Sequence, residues 1–242
     1  MSYAHAPISE AVLDIQTLDL ACDMEALRAL GQDTPEFSEV REISKNELQF
    51  NFPPDSAVPV TEGRRSLHGF QFWNADRTKV WQARGNGFSV SHLHPYQSWE
   101  ALTEEAKRLW SLFRSRTGAT PTRLAVRYIN RFDVPNTSRL NFADFFRLIP
   151  SIPPELDTGL AGFLMQLNLP QIDLESVAVV TQTPAVPIQP DTASLILDID
   201  LFRDRNVPQE DEQIWALFEQ FRIRKNHIFE MSLHESAREL IR

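Results

Sequence analysis

The chain is poor in the residues on which several kinds of chemistry depend. It has one cysteine, Cys22, so an internal disulfide is excluded and a thiolate zinc site cannot form. Glycine is scarce, at 8 of 242 residues, and neither G-x-x-x-x-G-K-[ST] nor G-x-G-x-x-G occurs, which leaves a Gly-rich phosphate cradle little material. The tightest glycine pair, Gly85 and Gly87 in "RGNGF", reads as a hairpin turn. No G-x-S-x-G is present and Cys22 has no neighbouring histidine, so a serine or cysteine nucleophile is unsupported. Positive charge is short as well: 24 Lys and Arg stand against 33 Asp and Glu, a formal net charge of -9. A partner selected for its negative charge, nucleic acid above all, is disfavoured. No apolar run is long enough to span a bilayer, and "MSYAHAPISEAV" lacks the layout of a signal peptide. The expectation is a reducing, cytoplasmic setting without membrane contact.

What is present is ordinary globular material, 42% hydrophobic and 24% charged, enough for one large core or two small ones. "SEAVLDIQTL" (Ser9–Leu18) alternates as a strand, and "DMEALRALG" follows as a short helix with Asp23 as its N-cap. "FSEVREISKNELQFNF" alternates on both sides of a turn expected at Lys45-Asn46, and proline-rich "FPPDSAVPV" reads as a loop. "LHGFQFW", "KVWQAR" and "GFSVSHL" form a meander. The period then becomes helical from Tyr96 to about Arg116, with Trp99, Leu102, Ala106, Leu109, Trp110 and Phe113 on one face.

After "TGATPT" the order begins again. "RLAVRYINRFDV" is a strand, "NFADFFRLI" a short helix, and "LESVAVVTQTPAV" and "TASLILDIDLF" are strands. A long helix from about Gln209 turns Ile214, Leu217, Phe218, Phe221 and Ile228 inward. The predicted fold class is α+β: two similar halves, 1–118 and 119–242, each with a strand, a short helix, antiparallel strands and a long helix. Together they make one pseudo-duplicated unit, with a sheet face or a cleft between the halves left to bind something.

Three constellations carry possible chemistry. His92 and His94 are two apart on a strand and share a face, with His68 on the same meander as a third weak metal candidate. Pro95 ends that strand, and Ser98, Tyr96 and Trp99 account for the stretch as a helix start without a metal. His227, Glu230 and His234 share a face only if the last helix is unbroken, and Ser232 with Glu235 makes a capping box that would start a new one. Asp198 and Asp200 share a strand face and suit either a divalent cation or arginines on a neighbouring strand. "RYINRF" supplies those arginines, with Arg127 and Arg131 flanking Ile129 on one face and Tyr128, Asn130 and Phe132 on the other. An Arg–Ile–Arg face suits an anion, a partner or these aspartates, and a buried Asn130 must find hydrogen-bond partners. Phe70, Phe72, Trp73 and Trp81 read as core rather than as a base-stacking platform.

"PISEAVLDIQ", "W…GFSVS…PYQSWE", "RYINRF" and "KNHIFEMSL" are similar to a sporadically distributed bacterial family of about this length with no assigned activity. The resemblance spans nearly the whole chain and implies no catalytic residues. Sporadic distribution is typical of accessory genes such as phage-defence and toxin–antitoxin modules. The expected function is therefore non-catalytic protein binding in such a system, with no cofactor, acting alone or as a homodimer. Arg127, Tyr128, Asn130, Arg131, Asp198 and Asp200 are the expected ligand or partner contacts. The alternatives are a metal-dependent hydrolase or nuclease, and a binder of a small anionic ligand in the cleft between the halves.

Overall fold

Alternation of apolar and polar residues gives the chain its strands and turns their apolar sides toward one common face. A computed structural model describes residues 3, 5–20, 23–51, 60–135, 141–156, 162–188 and 190–242. Within them lie β1 (Ile8–Thr17), β2 (Glu39–Asn51), β3 (Val60–Trp73), β4 (Lys79–Arg84) and β5 (Gly87–Leu93). They are followed by β6 (Pro121–Pro135), β7 (Met165–Gln171), β8 (Ser176–Ala185) and β9 (Thr192–Arg203). All pair antiparallel in one sheet, in the order β2-β3-β4-β5-β1-β6-β9-β8-β7. The fold is α+β, and its sheet runs without interruption across the 118/119 boundary because β1 pairs with β6.

Four α-helices complete the described residues: α1 (Met24–Ala29), α2 (Trp99–Thr117), α3 (Asp211–Ser232) and α4 (Glu235–Glu239). Helix α2 begins where Ser98 accepts a hydrogen bond from the Ala101 amide at 3.1 Å, and stops at Gly118, whose φ of 65° closes the last turn. Its stripe of Trp99, Leu102, Ala106, Leu109, Trp110 and Phe113 is buried. Helix α3 buries Ile214, Leu217, Phe218, Phe221, Ile228 and Phe229 in the same way. The two helices lie antiparallel on one sheet face. Trp99 donates to Glu219 at 2.6 Å, Lys107 sits over the Trp215 ring, and Trp110 and Arg114 both reach Asp211. Beyond Arg222, α3 overhangs the start of α2, and that overhang shapes the site described below.

The core fills the space between helices and sheet with Leu13, Ile15, Phe72, Trp81, Phe88, Val90, Val126, Tyr128, Leu197 and Ile199 among others. Phe72 stacks on Trp81 at 4.4 Å, and Phe88 meets Trp110 and Phe113 at 5.7 and 5.6 Å. Phe70, Phe72 and Trp81 are thus interior, as expected, whereas Trp73 is only half-buried, with Arg41 over its ring.

Several elements differ from the sequence expectation. β2 is one continuous strand, because Lys45 and Asn46 pair with Ser66 and Arg65; a bulge between Ile43 and Ser44 takes the place of the expected turn. "NFADFFRLI" forms only a 3-10 turn, Phe142–Asp144, capped by Asn141; an isolated bridge from Phe146 to Leu233 then diverts the chain. β7 was not expected, since "MQLNLPQ" carries an internal proline; as an edge strand it tolerates one. Helix α3 does end at Ser232, but the Ser232 hydroxyl bonds back to Ile228 and does not cap α4. Cys22 and most of "FPPDSAVPV" lie outside the described residues. Among those residues no helix is long and apolar enough to cross a membrane.

Trp110 is fully buried and also donates to Asp211. Trp110→Ala is expected to cost about 3–5 kcal/mol, measured by urea unfolding, because it opens a cavity beside Phe88.

Candidate functional site

The two faces of β6 have different fates. Its open face carries the arginines. Arg127 holds Asp198 through two bonds, at 3.0 Å from Nε and 2.6 Å from the terminal nitrogen. Arg123 reaches Asp200 at 3.1 Å and Asp14 at 3.6 Å, and Arg84 closes the row on Asp14. Arg131 meets neither Asp198 nor Asp200. The β6–β9 register sets it opposite Ile196, so it turns to Asp133, Ser194 and the Val186 carbonyl. Burial raises the Asp200 pKa, against the pull of Arg123 and Arg127. Both aspartates that a divalent cation would need are therefore engaged by arginines.

The histidines are dispersed. His92 points to the helix face, 2% exposed, with Nε2 2.6 Å from a Glu105 oxygen. Lys79 reaches the other Glu105 oxygen at 3.3 Å. His68 instead contacts Asn86 at 2.9 Å, and His94, beyond the end of β5, lines a cleft. Among the described residues no three His, Cys, Asp or Glu are placed to hold a metal.

That cleft lies on the helix side of β6, where Tyr128 and Asn130 project, and it has a volume of about 1170 Å³. Its walls are the overhanging half of α3, the connection from β5 to α2, and the N-terminal segment before β1. Tyr3 of that segment donates to Glu230, and the His5 amide donates to the Ile241 carbonyl, which ties the wall to the end of the chain. His227 and Glu230 both line the cleft; His234 does not, because α3 has already ended. Of the six contact residues expected from the sequence, Tyr128 and Asn130 are here and the other four belong to the open-face network.

Most charges around the cleft are already paired. Arg222 faces Glu219 and Glu100, while Arg238 and Arg242 face Glu230 and Glu235. Lys225 is different. It is 7% exposed, and its Nζ lies 3.4 Å from the centroid of the Tyr128 ring. Among the described residues that ring is its only partner, and no carboxylate or carbonyl accepts from it. Burial, then the neighbouring Arg222, push its pKa down from 10.5 to about 7. The ring face opposes part of this, because its quadrupole favours the ammonium.

Beside it the Tyr96 and Tyr128 hydroxyls are 2.9 Å apart, with their rings edge to face. Burial raises both pKa values, that of Tyr96 to about 12, so both phenols stay protonated. One donates to the other, which leaves the pair one further O–H. Asn130 donates to the Leu197 carbonyl at 3.0 Å and the Tyr128 carbonyl at 3.3 Å. The sequence reading passed over Lys225, although a signal was there: it stands four after Phe221 and three before Ile228, on the apolar stripe itself.

A lysine whose pKa is lowered on folding opposes folding most when it must be charged in the interior. The cost is greatest below pH 7 and fades as pH rises toward 10.5, where the unfolded chain also loses its proton. Lys225→Met is therefore expected to stabilise the protein by roughly 2–4 kcal/mol at pH 6. Urea unfolding at pH 6, 8 and 10 is expected to show that gain shrinking as pH rises.

No family model matches the chain, and no curated protein matches it either.

Proposed function

We propose that this chain is a binding protein that takes a small anionic ligand in the cleft over Tyr128. One observation carries this: Lys225 is a buried amine that faces the cleft without a counter-ion among the described residues. An isolated buried charge is costly, and an incoming anion would supply the missing partner. Arg222 on the preceding turn and the spare O–H of the tyrosine pair add donors of the kind that orient a carboxylate or phosphate. The open-face arginines are poor candidates for the same task, since they project from the opposite face of β6 and do not line this cleft.

We also propose that the halves 1–118 and 119–242 are related by duplication. In each, an antiparallel meander (β2 to β5, β7 to β9) ends beside the half's own first strand, and the two first strands pair at the centre. A long helix then follows on the same face. An experimental structure with α2 and α3 crossing their half-sheets in unrelated directions would rule this out.

Anion binding that needs a protonated Lys225 weakens as pH rises through about 7. In thermal-shift titrations with acetate, oxalate, succinate and phosphate, at least one is expected to raise Tm, and to do so more at pH 6 than at pH 8. His5, His94 and His227 also line the cleft, so Lys225→Met is the control that separates the lysine from them. Shifts of equal size in that variant, or none with any of the anions, overturn the proposal.

A further inference from the structure

We propose that Lys225 is a reactive amine that condenses with the carbonyl group of its ligand, the ligand being a small aldehyde or ketone that also carries a carboxylate. The inference rests on the cleft being an anion site and goes beyond it, since it assigns a covalent bond to one atom.

The chain has only four lysines: Lys45, Lys79, Lys107 and Lys225. Lys45 pairs with Glu47 at 2.8 Å and Lys79 with Glu105 at 3.3 Å, so each has a carboxylate partner. Lys107 lies over Trp215 on the exposed side of α2. Of the four, Lys225 alone is buried with no carboxylate partner among the described residues. A lysine shielded from water and set beside another cation is held close to its free-base form, and the free base is the nucleophile. The groups that surround it act in both directions. Arg222 disfavours its charge, and Glu100 and Glu230 are occupied by Arg222, Arg238 and Tyr3. Tyr128 and Tyr96 remain neutral phenols.

Those phenols fit the chemistry. The amine lone pair attacks the carbonyl carbon, a C–N bond forms, and the carbonyl π electrons move to oxygen, which a hydrogen bond from the tyrosine pair can stabilise. The nitrogen gives up a proton, the oxygen gains one, and a carbinolamine results. Loss of the hydroxyl as water then forms the C=N bond. The net change is amine plus carbonyl to imine plus water, with no oxidant or reductant consumed. Arg222, one turn before Lys225 on α3, is placed for the ligand's carboxylate.

The alternative is that Lys225 is an ammonium satisfied by the Tyr128 ring face and inert. Incubating the full chain with glyoxylate and sodium cyanoborohydride from pH 6 to 9, followed by peptide mapping, decides between them. Lys225 is expected to take the first adduct, on the order of ten- to a hundredfold faster at pH 7 than exposed Lys107, because burial beside Arg222 favours its free base. Its rate is expected to level off above about pH 8. Equal labelling of Lys107 and Lys225, or none at Lys225, overturns the inference.

A parallel oxalate titration keeps the two proposals apart, since oxalate is a dianion that does not condense with amines under these conditions. Oxalate binding without a Lys225 adduct removes the covalent step and leaves the anion site standing. Failure of both removes the site as well. Lys225→Arg, which keeps the charge but lacks the amine, is expected to bind oxalate and to lose the fast adduct.

Discussion

The pairing of β1 with β6 at the centre of the sheet is the contact on which everything else depends. It joins the two halves into one hydrogen-bonded surface, and it fixes β6 with neighbours on both sides. Once β6 is fixed, its period of two decides which residues meet the helices and which do not. Arg123, Arg127 and Arg131 go to the open face, where Asp14, Asp198, Asp200 and Asp133 neutralise them. Tyr128 and Asn130 go to the helix face and become the floor of the cleft. A slip of one residue would exchange the two sets and bury three guanidinium groups.

The helices impose the second constraint. α2 and α3 overlap along α2 and are fastened by Trp99 to Glu219 and Trp110 to Asp211, but α3 is longer by three residues and is offset toward its C-terminus. The overhang leaves the last turns of α3, residues 223–232, facing the sheet without a partner helix. Within them the stripe carries Lys225 where an apolar residue would complete the core. Among the described residues the Tyr128 ring alone relieves the desolvation cost of its amine, a local expense of the kind that clusters at functional sites.

Much of the architecture was legible in the chain. The period of two gave β1, β4 to β6, β8 and β9, and the period of 3.6 gave α2 and α3, because their apolar stripes are long and unbroken. The ends were legible where chemistry marked them, as at Asp23, Ser98 and Gly118. β7 and the continuity of β2 were not, since both are outer strands whose sequence is polar or interrupted and whose pairing comes from a neighbour. The candidate site was half legible: "RYINRF" drew attention to Tyr128 and Asn130 for their place beside arginines, and the arginines were then the part that proved to be spoken for.

By itself, then, the sequence determined what is local: alternation, helical stripe, caps, and the sorting of β6 side chains between two faces. Only the tertiary structure decided which charges find partners. Arg127 reaches Asp198, Arg123 reaches Asp200 and His92 reaches Glu105 across 71, 77 and 13 residues of chain. Lys225 reaches no carboxylate among the described residues, because the turn that carries it extends past its neighbouring helix and over a tyrosine ring. Whether a charged side chain is satisfied depends on what long-range packing sets within about 4 Å of it, and no pattern of near neighbours along the chain encodes that.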